Sequence, residues 1–402
     1  MNKKIMLVAG EVSGDLQGSL LARSLKVLAP KIKLFGMGGP RMKEMGVDIK
    51  FDVLKYANIG IWENAKNYFF TMRRVFHKIK KVVQVESPSC IVLIDYQGFN
   101  LALARFAKKI GIPLVYYIPP QYWAWRTSQA KNVARLIDKI IAVMPDEEEA
   151  YRKAGADVVF VGNPLMDIVK VPYSREDICR MLILNPDAPV IGLFPGSRFS
   201  EVKRLLPVML KSAEILRCQS QRDPSGIPDV QFVLPVAAPH LKDEIETMVE
   251  KSSLPVKIVD GRSYEVMSIS DFAIICSGLA TLEAAILGTP MVVVYKVSLL
   301  TSLIARILLK IPRVSPPNIL VHREIVPELL QARANPENIA HTVSDILHSP
   351  DKMKEMRQGL SEAISKLGPS GAPDRAAEII LETIKVVVAV VITHFLFFIF
   401  SA

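Results

Sequence analysis

The sequence predicts an α/β protein built on two doubly wound parallel sheets. Short apolar runs alternate with helix-length amphipathic segments along most of the 402 residues. Runs that are apolar on both faces are typical of parallel strands covered by helices. The rhythm restarts near Gly162-Asn163-Pro164, where the balance of charge also changes. These observations predict two Rossmann-like halves that face each other across a cleft, with a boundary at about residue 166.

The predicted strands follow one another in the same rhythm in both halves. In the first half they are residues 5–9, 33–35, 90–94, 114–118, 139–143 and 158–161. In the second half they are residues 190–194, 231–234, 256–259, 272–276 and 291–295. Most segments between them are long enough for the helical crossover that joins two parallel strands.

The composition excludes several classes of protein. Half of the residues are hydrophobic and 22% are charged, which excludes a disordered chain. The first 166 residues carry 25 basic and 14 acidic side chains, whereas the remainder of the chain is nearly neutral. This excess predicts an anionic partner for the first half, either a phospholipid surface or a nucleic acid. The four cysteines lie far apart, which indicates neither a disulfide framework nor a zinc site.

Two loops of the first half follow predicted strands and carry polar side chains. The glycines of the first, Gly-Glu-Val-Ser-Gly-Asp-Leu-Gln-Gly over residues 10–18, allow an anionic or hydroxyl-rich ligand to approach the backbone closely. A plain turn is the alternative, and the spacing is not that of a nicotinamide site. The second loop begins at Asp95, directly after the strand over 90–94. A carboxylate there can accept a proton from a hydroxyl group; alternatively, it caps the next helix.

Two loops of the second half are predicted anion sites. Arg198 follows the strand over 190–194 and can offer a phosphate two N–H donors, with pairing to a local acid as the alternative. Residues Ser277 to Glu283 open another helix, where Glu283 can accept both hydroxyls of a ribose or simply favour the helix N-terminus. Together these features indicate a nucleotide diphosphate. No H-x-x-x-H, D-x-D, G-x-S-x-G or GK[ST] motif occurs, so the sequence predicts no protein-bound metal.

Two segments are candidates for membrane contact. One is an amphipathic stretch over 69–83, whose apolar face is bordered by basic residues. The predicted membrane contacts in it are Phe69, Met72, Arg73, Phe76 and Lys80. Such a pattern fits an interfacial helix on anionic lipid, or a helix packed on the core with a basic outer face. The other is the uncharged tail over 386–402, about 25 Å long as a helix, which either anchors the chain in a membrane or ends a buried helix.

Several motifs occur in the order found in one known family. They are GEVSGDLQG, GGPRM, the strand end at Asp95 followed by Phe-Asn, YYIPPQYWAWR, GNPLMD, PGSRFSEV, SGLATLEAAILGTPMVVVYK and PPNILVHREIVPELLQ. Over about residues 5–385 the chain resembles the lipid-A-disaccharide synthase family. The resemblance implies the GT-B fold: Rossmann-like domains over 1–166 and 167–368, an interdomain nucleotide-sugar cleft, and a helix over 369–385 that crosses back to the first domain. The tail over 386–402 has no counterpart in the family and is a candidate anchor.

The resemblance also implies a reaction and its partners. The family joins UDP-2,3-diacylglucosamine to 2,3-diacylglucosamine 1-phosphate with inversion, and releases UDP and a β-1,6-linked disaccharide for lipid A biosynthesis. It implies no cofactor and no nucleic-acid partner. A peripheral protein on the cytoplasmic face of the inner membrane is expected, and a homodimer stays open. The alternatives are another UDP-N-acetylglucosamine enzyme of this fold, a 2-epimerase or a peptidoglycan transferase, and an inactive scaffold held at the membrane.

Roles for individual residues follow from the resemblance at matching positions. Asp95 is the expected general base, and Arg198 is the expected donor to the leaving pyrophosphate, in place of a metal. The other expected substrate contacts are Glu11, Ser13, Asp15, Trp125 and Arg126 on the acceptor side, and Ser197, Ser277, Gly278, Ala280, Thr281, Glu283, Asn318, Arg323 and Glu324 on the nucleotide side. The family tends to read Pro-Asp-Phe-Asn after the aspartate, whereas this chain reads Gln97-Gly98-Phe99-Asn100. A second carboxylate next to Asp95 in the sequence is therefore missing.

Overall fold

The computed structural model describes residues 3–52, 65–120, 127–222, 230–297 and 313–385, with side chains omitted at 12, 65–71, 127–128 and 220–222. The described chain forms two compact units. The first unit contains the residues up to Asp167 and those from Gly368 onward. The second unit runs from Ile168 to Leu367. The first unit is therefore assembled from both ends of the sequence.

The first unit is built on a parallel sheet of seven strands in the order β3-β2-β1-β4-β5-β6-β7. The strands are β1 (Lys4–Ala9), β2 (Lys33–Gly38), β3 (Asp48–Asp52), β4 (Cys90–Ile94), β5 (Leu114–Tyr117), β6 (Lys139–Ala142) and β7 (Val158–Phe160). The helices are α1 (Val12–Leu28), α2 (Pro40–Glu44), α3 (Ala65–Glu86), α4 (Gln97–Lys109), α5 (Thr127–Leu136), α6 (Pro145–Lys153), α7 (Leu165–Ile168) at the junction, and a helix over 372–385. Strand β4 is buried along its whole length, because its five residues are apolar on both faces.

The second unit is built on a parallel sheet of six strands in the order β10-β9-β8-β11-β12-β13. The strands are β8 (Val190–Phe194), β9 (Gln231–Val236), β10 (Val256–Asp260), β11 (Phe272–Cys276), β12 (Met291–Tyr295) and β13 (Glu328–Leu330). The helices are α8 (Arg175–Leu182), α9 (Phe199–Arg222), α10 (Lys242–Glu250), α11 (Ser263–Ile269), α12 (Leu279–Ile286), α13 (Pro316–Leu320), α14 (Pro336–Leu347) and α15 (Pro350–Ser365), with short 3₁₀ turns at Pro239–Leu241 and Gln331–Arg333. The two sheets confirm the predicted class of two Rossmann-like, doubly wound halves.

Two strands were not predicted from the sequence. Both β3 and β13 lie at an edge of their sheet. Strand β3 reads Asp-Ile-Lys-Phe-Asp and is only partly buried, so it lacks the continuous apolar run of the central strands. Strand β13 has three residues and begins with Glu328. Short length and charged side chains are typical of edge strands, because they discourage pairing with a strand of another chain.

The helix over 372–385 is fixed to the first unit by polar contacts. Both carboxylate oxygens of Asp167 accept backbone N–H groups at its start, from Gly371 at 2.7 Å and from Ala372 at 3.2 Å. The Arg375 guanidinium donates to the Val161 carbonyl at 2.8 Å. Apolar residues along the inner face of the helix, Ala376, Ala377, Ile380 and Ile384, are fully buried. Its N-terminal end is therefore anchored, and its apolar face adds to the core of the first unit.

None of the helices within the described ranges combines the length and the apolar character needed to cross a bilayer. The tail over 386–402, which the sequence offers as a membrane anchor or as the end of a buried helix, lies outside the described residues.

Candidate active site

The strand end at Asp95 has an unusual backbone. Asp95 and Tyr96 both adopt left-handed conformations, with φ of 48° and 47°. Each such residue costs about 1–2 kcal/mol when it is not glycine. Helix α4 begins at Gln97 with Tyr96 at its N-cap position, so Asp95 is not the capping residue, contrary to the alternative raised from the sequence. The turn directs the chain sharply out of the sheet at the carboxyl end of β4, where ligands bind in such folds.

Two buried side chains hold the strained turn in place. The Asn100 amide donates to the carbonyl of Asp95 at 2.7 Å and to that of Ile94 at 3.2 Å. The Tyr116 hydroxyl donates to the Asp95 carbonyl at 2.8 Å. Asn100 and Tyr116 are both completely buried. They satisfy the backbone of Asp95 and leave its carboxylate to other partners.

Gly10 brings the first loop against this turn. A Cβ atom at position 10 would lie 2.0 Å from the ring of Tyr96, so only glycine fits there. Glu11 and Ser13 follow, and both are exposed. Helix α1 begins at Val12, so most of the loop predicted over 10–18 is helical, with Glu11 at the N-cap and Ser13 in the first turn. The expected acceptor contacts therefore lie at the start of α1, next to the Asp95 turn.

Asp15 has a different role from the one expected. It is 1% exposed, and its carboxylate accepts backbone N–H groups from Gly39 at 2.7 Å and from Arg41 and Met42 at 3.1 Å. These groups form the start of helix α2, where the helix dipole favours a negative charge. The structure thus places Asp15 as an anchor between the GEVSGDLQG and GGPRM motifs, and not as an open ligand group.

The charge of Asp95 acts on a second buried carboxyl group, that of Glu147, which no sequence motif indicated. Glu147 on α6 is 1% exposed and accepts backbone N–H groups from Val143 at 3.1 Å and Met144 at 3.2 Å. Burial and, to a smaller extent, the negative charge of Asp95 raise the pKa of Glu147, whereas these N–H groups lower it; the net value is about 8. Burial also raises the pKa of Asp95, against the effect of the Tyr96 N–H. At neutral pH Glu147 is therefore mostly protonated and uncharged.

The predicted membrane face is divided between the core and the solvent. Phe76 is half-buried and meets the ring of Phe99 edge-on at 5.6 Å, and Met72 is half-buried beside it, accepting a bond from the Tyr96 hydroxyl at 3.4 Å. Lys80 lies 4.8 Å from the centre of the Phe76 ring. The exposed basic residues are Arg73, Arg74, Lys78 and Lys81. The side chain of Phe69, like Trp125 and Arg126, lies outside the part of the chain that is described in full.

In the second unit, the Arg198 loop is organised by a carboxylate. Glu201 accepts the backbone N–H of Ser197 at 3.2 Å and of Arg198 at 3.3 Å, and its other oxygen accepts from the Arg198 guanidinium at 3.3 Å. The side chain of Arg198 is 74% exposed, whereas that of Glu201 is 14% exposed. The local acid considered as an alternative partner for Arg198 is therefore present. Ser197 is exposed, and its N–H points to Glu201.

The Ser277 loop follows β11 and leads into α12. The Ser277 hydroxyl donates to the Val314 carbonyl at 3.0 Å, and the buried Thr281 hydroxyl donates to the Gly278 carbonyl at 2.7 Å. Ala280 is half-buried between them. These hydroxyls stabilise the loop through its own carbonyl groups, so the N–H groups at the start of the helix are the donors left for a ligand.

Glu283, one turn into α12, is a half-buried carboxylate. The Tyr264 hydroxyl donates to its Oε1 atom at 3.0 Å. Burial raises the pKa of Glu283, and the bond from Tyr264 lowers it. The site therefore offers a carboxylate acceptor at the same end of the sheet as the Arg198 loop.

The predicted contacts near residue 320 differ in their surroundings, since one is buried in a hydrogen-bond network and two are exposed. Asn318 is completely buried, and its amide bonds to Ile325, Val326 and Glu328. Glu328 also accepts bonds from Val314 and Ser315, which fixes the segment beside Ser277. Arg323 is exposed and paired with Glu362 at 2.5 Å, and Glu324 is exposed. Within the described residues, no three His, Cys, Asp or Glu side chains are grouped as metal ligands.

Comparison with known proteins decides the family. A family model described as lipid-A-disaccharide synthetase matches residues 5–382. The chain belongs to the lipid-A-disaccharide synthetase family. It is 43% identical to the lipid-A-disaccharide synthase of Syntrophus aciditrophicus over 96% of this chain and 99% of that protein. It is 40% identical to that of Geobacter sulfurreducens over 94% and 97% of the two chains. The predictions of the family and of a glycosyltransferase that forms the lipid A disaccharide are confirmed.

A solved structure shows the same fold at much lower identity. The UDP-GlcNAc 2-epimerase of Neisseria meningitidis bound to UDP-GlcNAc superposes with a TM-score of 0.61 at 14% identity, over 94% of this chain and 99% of that one. At this identity the likeness shows the GT-B fold alone. It does not favour the 2-epimerase, the peptidoglycan transferase or the inactive scaffold over the lipid-A-disaccharide synthetase family.

Proposed function

We propose that the protein transfers the sugar of UDP-2,3-diacylglucosamine to the 6-hydroxyl of 2,3-diacylglucosamine 1-phosphate, with inversion at the anomeric carbon. The 6-hydroxyl oxygen of the acceptor attacks the anomeric carbon, and the proton of that hydroxyl passes to Asp95. The bond from that carbon to the diphosphate oxygen breaks, and UDP leaves with the electron pair. The observation that carries this proposal is the strained, clamped turn at Asp95 in a chain of this family.

The surroundings of Asp95 suit a general base. Its backbone carbonyl is occupied by Asn100 and Tyr116, so the turn keeps its shape without help from the carboxylate. Its raised pKa makes it a stronger base than an exposed aspartate. Glu147, with its pKa raised to about 8, is mostly protonated at neutral pH and therefore does not compete with Asp95 for the proton. In this proposal Glu11 and Ser13, with Trp125 and Arg126, contact the acceptor sugar.

The second unit would bind the nucleotide. Arg198 can donate two parallel N–H bonds to the diphosphate, since its guanidinium is exposed and only one nitrogen contacts Glu201 within hydrogen-bond distance. The start of α12 after Gly278 supplies further N–H donors, and Glu283 would accept the ribose hydroxyls. These groups stabilise the charge that grows on UDP as it leaves. Arg323 and Glu324, being exposed, remain proposed contacts, whereas Asn318 would act by fixing the loop.

The reaction is tested by following both products. Purified protein is incubated with UDP-2,3-diacylglucosamine and 2,3-diacylglucosamine 1-phosphate in the presence of EDTA, and mass spectrometry follows UDP and the disaccharide. The expected result is disaccharide and UDP in equal amounts. UDP without disaccharide would indicate hydrolysis and contradict the transfer. Disaccharide formed only after a divalent cation is added would contradict the role given to Arg198.

The family's lipid substrates make contact with a membrane surface part of the proposal. We expect peripheral binding at the cytoplasmic face of the inner membrane, and the exposed Arg73, Arg74, Lys78 and Lys81 on α3 support it. Each basic residue near an anionic surface contributes about 1 kcal/mol. Met72 and Phe76 pack on the protein core. Among the described residues of α3, it is therefore the exposed basic side chains that support membrane binding. An anchor at 386–402 and a homodimer remain predictions from the sequence.

Vesicle co-sedimentation tests the membrane surface. The double variant Arg73→Glu/Arg74→Glu is compared with Lys354→Glu/Arg357→Glu, which reverses two exposed charges on α15 in the second unit. On vesicles with phosphatidylglycerol, we expect the first variant to bind at least about tenfold more weakly and the second to bind like the original chain. Equal binding by all three proteins would contradict the role of α3.

A further inference from the structure

A tyrosine from the neighbouring helix contacts the carboxylate that is proposed to bind ribose. Tyr264 lies on α11 (Ser263–Ile269), and Glu283 lies on α12 (Leu279–Ile286). The hydroxyl of Tyr264 donates to Oε1 of Glu283 at 3.0 Å. Both side chains are half-buried. The contact therefore joins two helices at the carboxylate with which α12 is expected to bind the nucleotide.

This bond restricts the carboxylate. A free glutamate samples many rotamers, and holding it in one of them costs conformational entropy. The bond from Tyr264 fixes Oε1, and each carboxylate oxygen has lone pairs for more than one donor. The remaining lone pairs of Oε1 and those of Oε2 can then accept two neighbouring hydroxyl groups without further ordering of the side chain. A bond to a charged acceptor is also stronger than one between neutral groups.

We propose that Tyr264 is a positioning residue for nucleotide binding, which holds the Glu283 carboxylate in the orientation that accepts the ribose hydroxyls of UDP. The inference rests on the proposed function, in which Glu283 binds the ribose. It adds a residue outside the recognised motifs, on the helix after β10. Burial favours the neutral form of Glu283, and the phenol opposes that effect by bonding to the carboxylate.

The competing explanation is that Tyr264 only joins α11 to α12. A structural contact of that kind would affect every ligand of the site equally. A positioning role would affect only ligands that carry the ribose hydroxyls. UDP and 2′,3′-dideoxy-UDP differ in those hydroxyls alone, so their relative affinities separate the two explanations.

The experiment measures both ligands by calorimetry on four proteins. These four are the original chain, Tyr264→Phe, Glu283→Gln and the double variant. A fifth protein, Tyr173→Phe, is the control at an exposed tyrosine of the same unit. We expect Tyr264→Phe to bind UDP about tenfold more weakly and dideoxy-UDP with unchanged affinity. Glu283→Gln should lose at least as much affinity for UDP, and adding Tyr264→Phe to it should cause little further loss. Tyr173→Phe should match the original chain for both ligands.

Each contrary outcome has its own meaning. If Tyr264→Phe weakens UDP and dideoxy-UDP by the same factor, or weakens neither, the positioning role is overturned while the role of Glu283 stands. If Glu283→Gln binds UDP as well as the original chain, the proposed ribose contact fails, and the inference fails with it. Melting temperatures of the variants show whether any loss reflects unfolding.

Discussion

The turn at Asp95 and the loop at Arg198 both follow a buried parallel strand, but their charged residues have different kinds of hydrogen-bond partner. At Asp95 the neutral donors Asn100 and Tyr116 bind the backbone carbonyl. At Arg198 a charged side chain, Glu201, binds the backbone N–H groups and the guanidinium together. The first arrangement leaves a carboxylate available as a base. The second restrains the guanidinium of Arg198 beside the carboxylate of Glu201, while most of the arginine side chain stays exposed.

The difference shows what a charged side chain needs from its surroundings. A base has to gain a proton during the reaction, so a fixed cation next to it would weaken it. An arginine that binds phosphate stays charged throughout, and a neighbouring carboxylate restricts its motion. Neutral partners around Asp95 and a charged partner beside Arg198 are therefore what the two proposed roles require.

The strongest test of this contrast is Asp95→Asn. The asparagine keeps the size of the side chain and removes the basic oxygen, so we expect kcat to fall by about 10² to 10⁴. UDP affinity should stay unchanged, because Asp95 belongs to the other unit. Steady-state rates and calorimetry measure both quantities, with Asp157→Asn as a control at an exposed aspartate of the first unit. A kcat within threefold of the original would rule out Asp95 as the base.

Arg198→Ala tests the other side of the comparison. Losing charge-assisted bonds to a diphosphate should weaken UDP binding by roughly tenfold to a hundredfold. The matched control is Arg180→Ala, since Arg180 is also exposed and also pairs with a carboxylate three residues away, at 3.2 Å. Its UDP affinity should not change. Similar affinities for both variants would show that Arg198 does not contact the diphosphate.

Tyr116→Phe tests whether the hydrogen bonds to the Asp95 carbonyl contribute to the rate of the reaction. The change keeps the buried ring and removes one of the two donors, which should lower kcat about three- to tenfold and leave KM nearly unchanged. Thr289→Val serves as a control, because the Thr289 hydroxyl donates to the buried Met267 carbonyl at 2.8 Å in the second unit. Both variants should lose stability, but only Tyr116→Phe should lose rate. A parallel loss of rate in both would indicate a general effect on folding.

The smallest expected effect concerns Glu147 and pH. Its pKa is raised from 4.5 to about 8 in the folded protein, so between these values the folded state holds a proton that the unfolded state has lost. This contribution to stability is complete at low pH and is lost as the pH rises toward about 8. Glu147→Gln should remove that pH dependence. Each kcal/mol of change in the free energy of unfolding shifts Tm by about 2–4 °C. Calorimetry at about pH 6 and pH 9 compares the slopes, and identical slopes would contradict a protonated Glu147.

The sequence was sufficient for the central strands of both sheets, and so for the strand ends at which the candidate site residues lie. Central strands such as β4 are apolar on both faces, and that pattern is visible without a structure. The short edge strands β3 and β13 were missed, because they carry Asp48, Asp52 and Glu328 among few apolar residues. Strand ends then located Asp95, Arg198 and the Ser277 loop.

What could not be predicted is how each side chain is used. Asp15 belongs to a motif that looks like a ligand-binding loop in the sequence, yet it lies in α1, and its carboxylate accepts backbone N–H groups of a segment more than 20 residues away. Glu147 is distant from Asp95 in the sequence, so only the fold relates their charges. Glu201 is different, because it lies only three residues after Arg198 in PGSRFSEV, so the local acid considered for Arg198 could be found among its neighbours in the sequence.

The anchoring of the helix over 372–385 by Asp167 bears on how the protein is made. A ribosome adds about 5–20 residues per second, so the second unit, a continuous segment from Ile168 to Leu367, emerges whole before the first unit has received its last helix. The first unit, although it is synthesised first, is completed last. During that interval the surface that later receives Ala376, Ile380 and Ile384 is uncovered. Chains that stop short of this helix would therefore expose apolar surface in the first unit and leave the second unit whole.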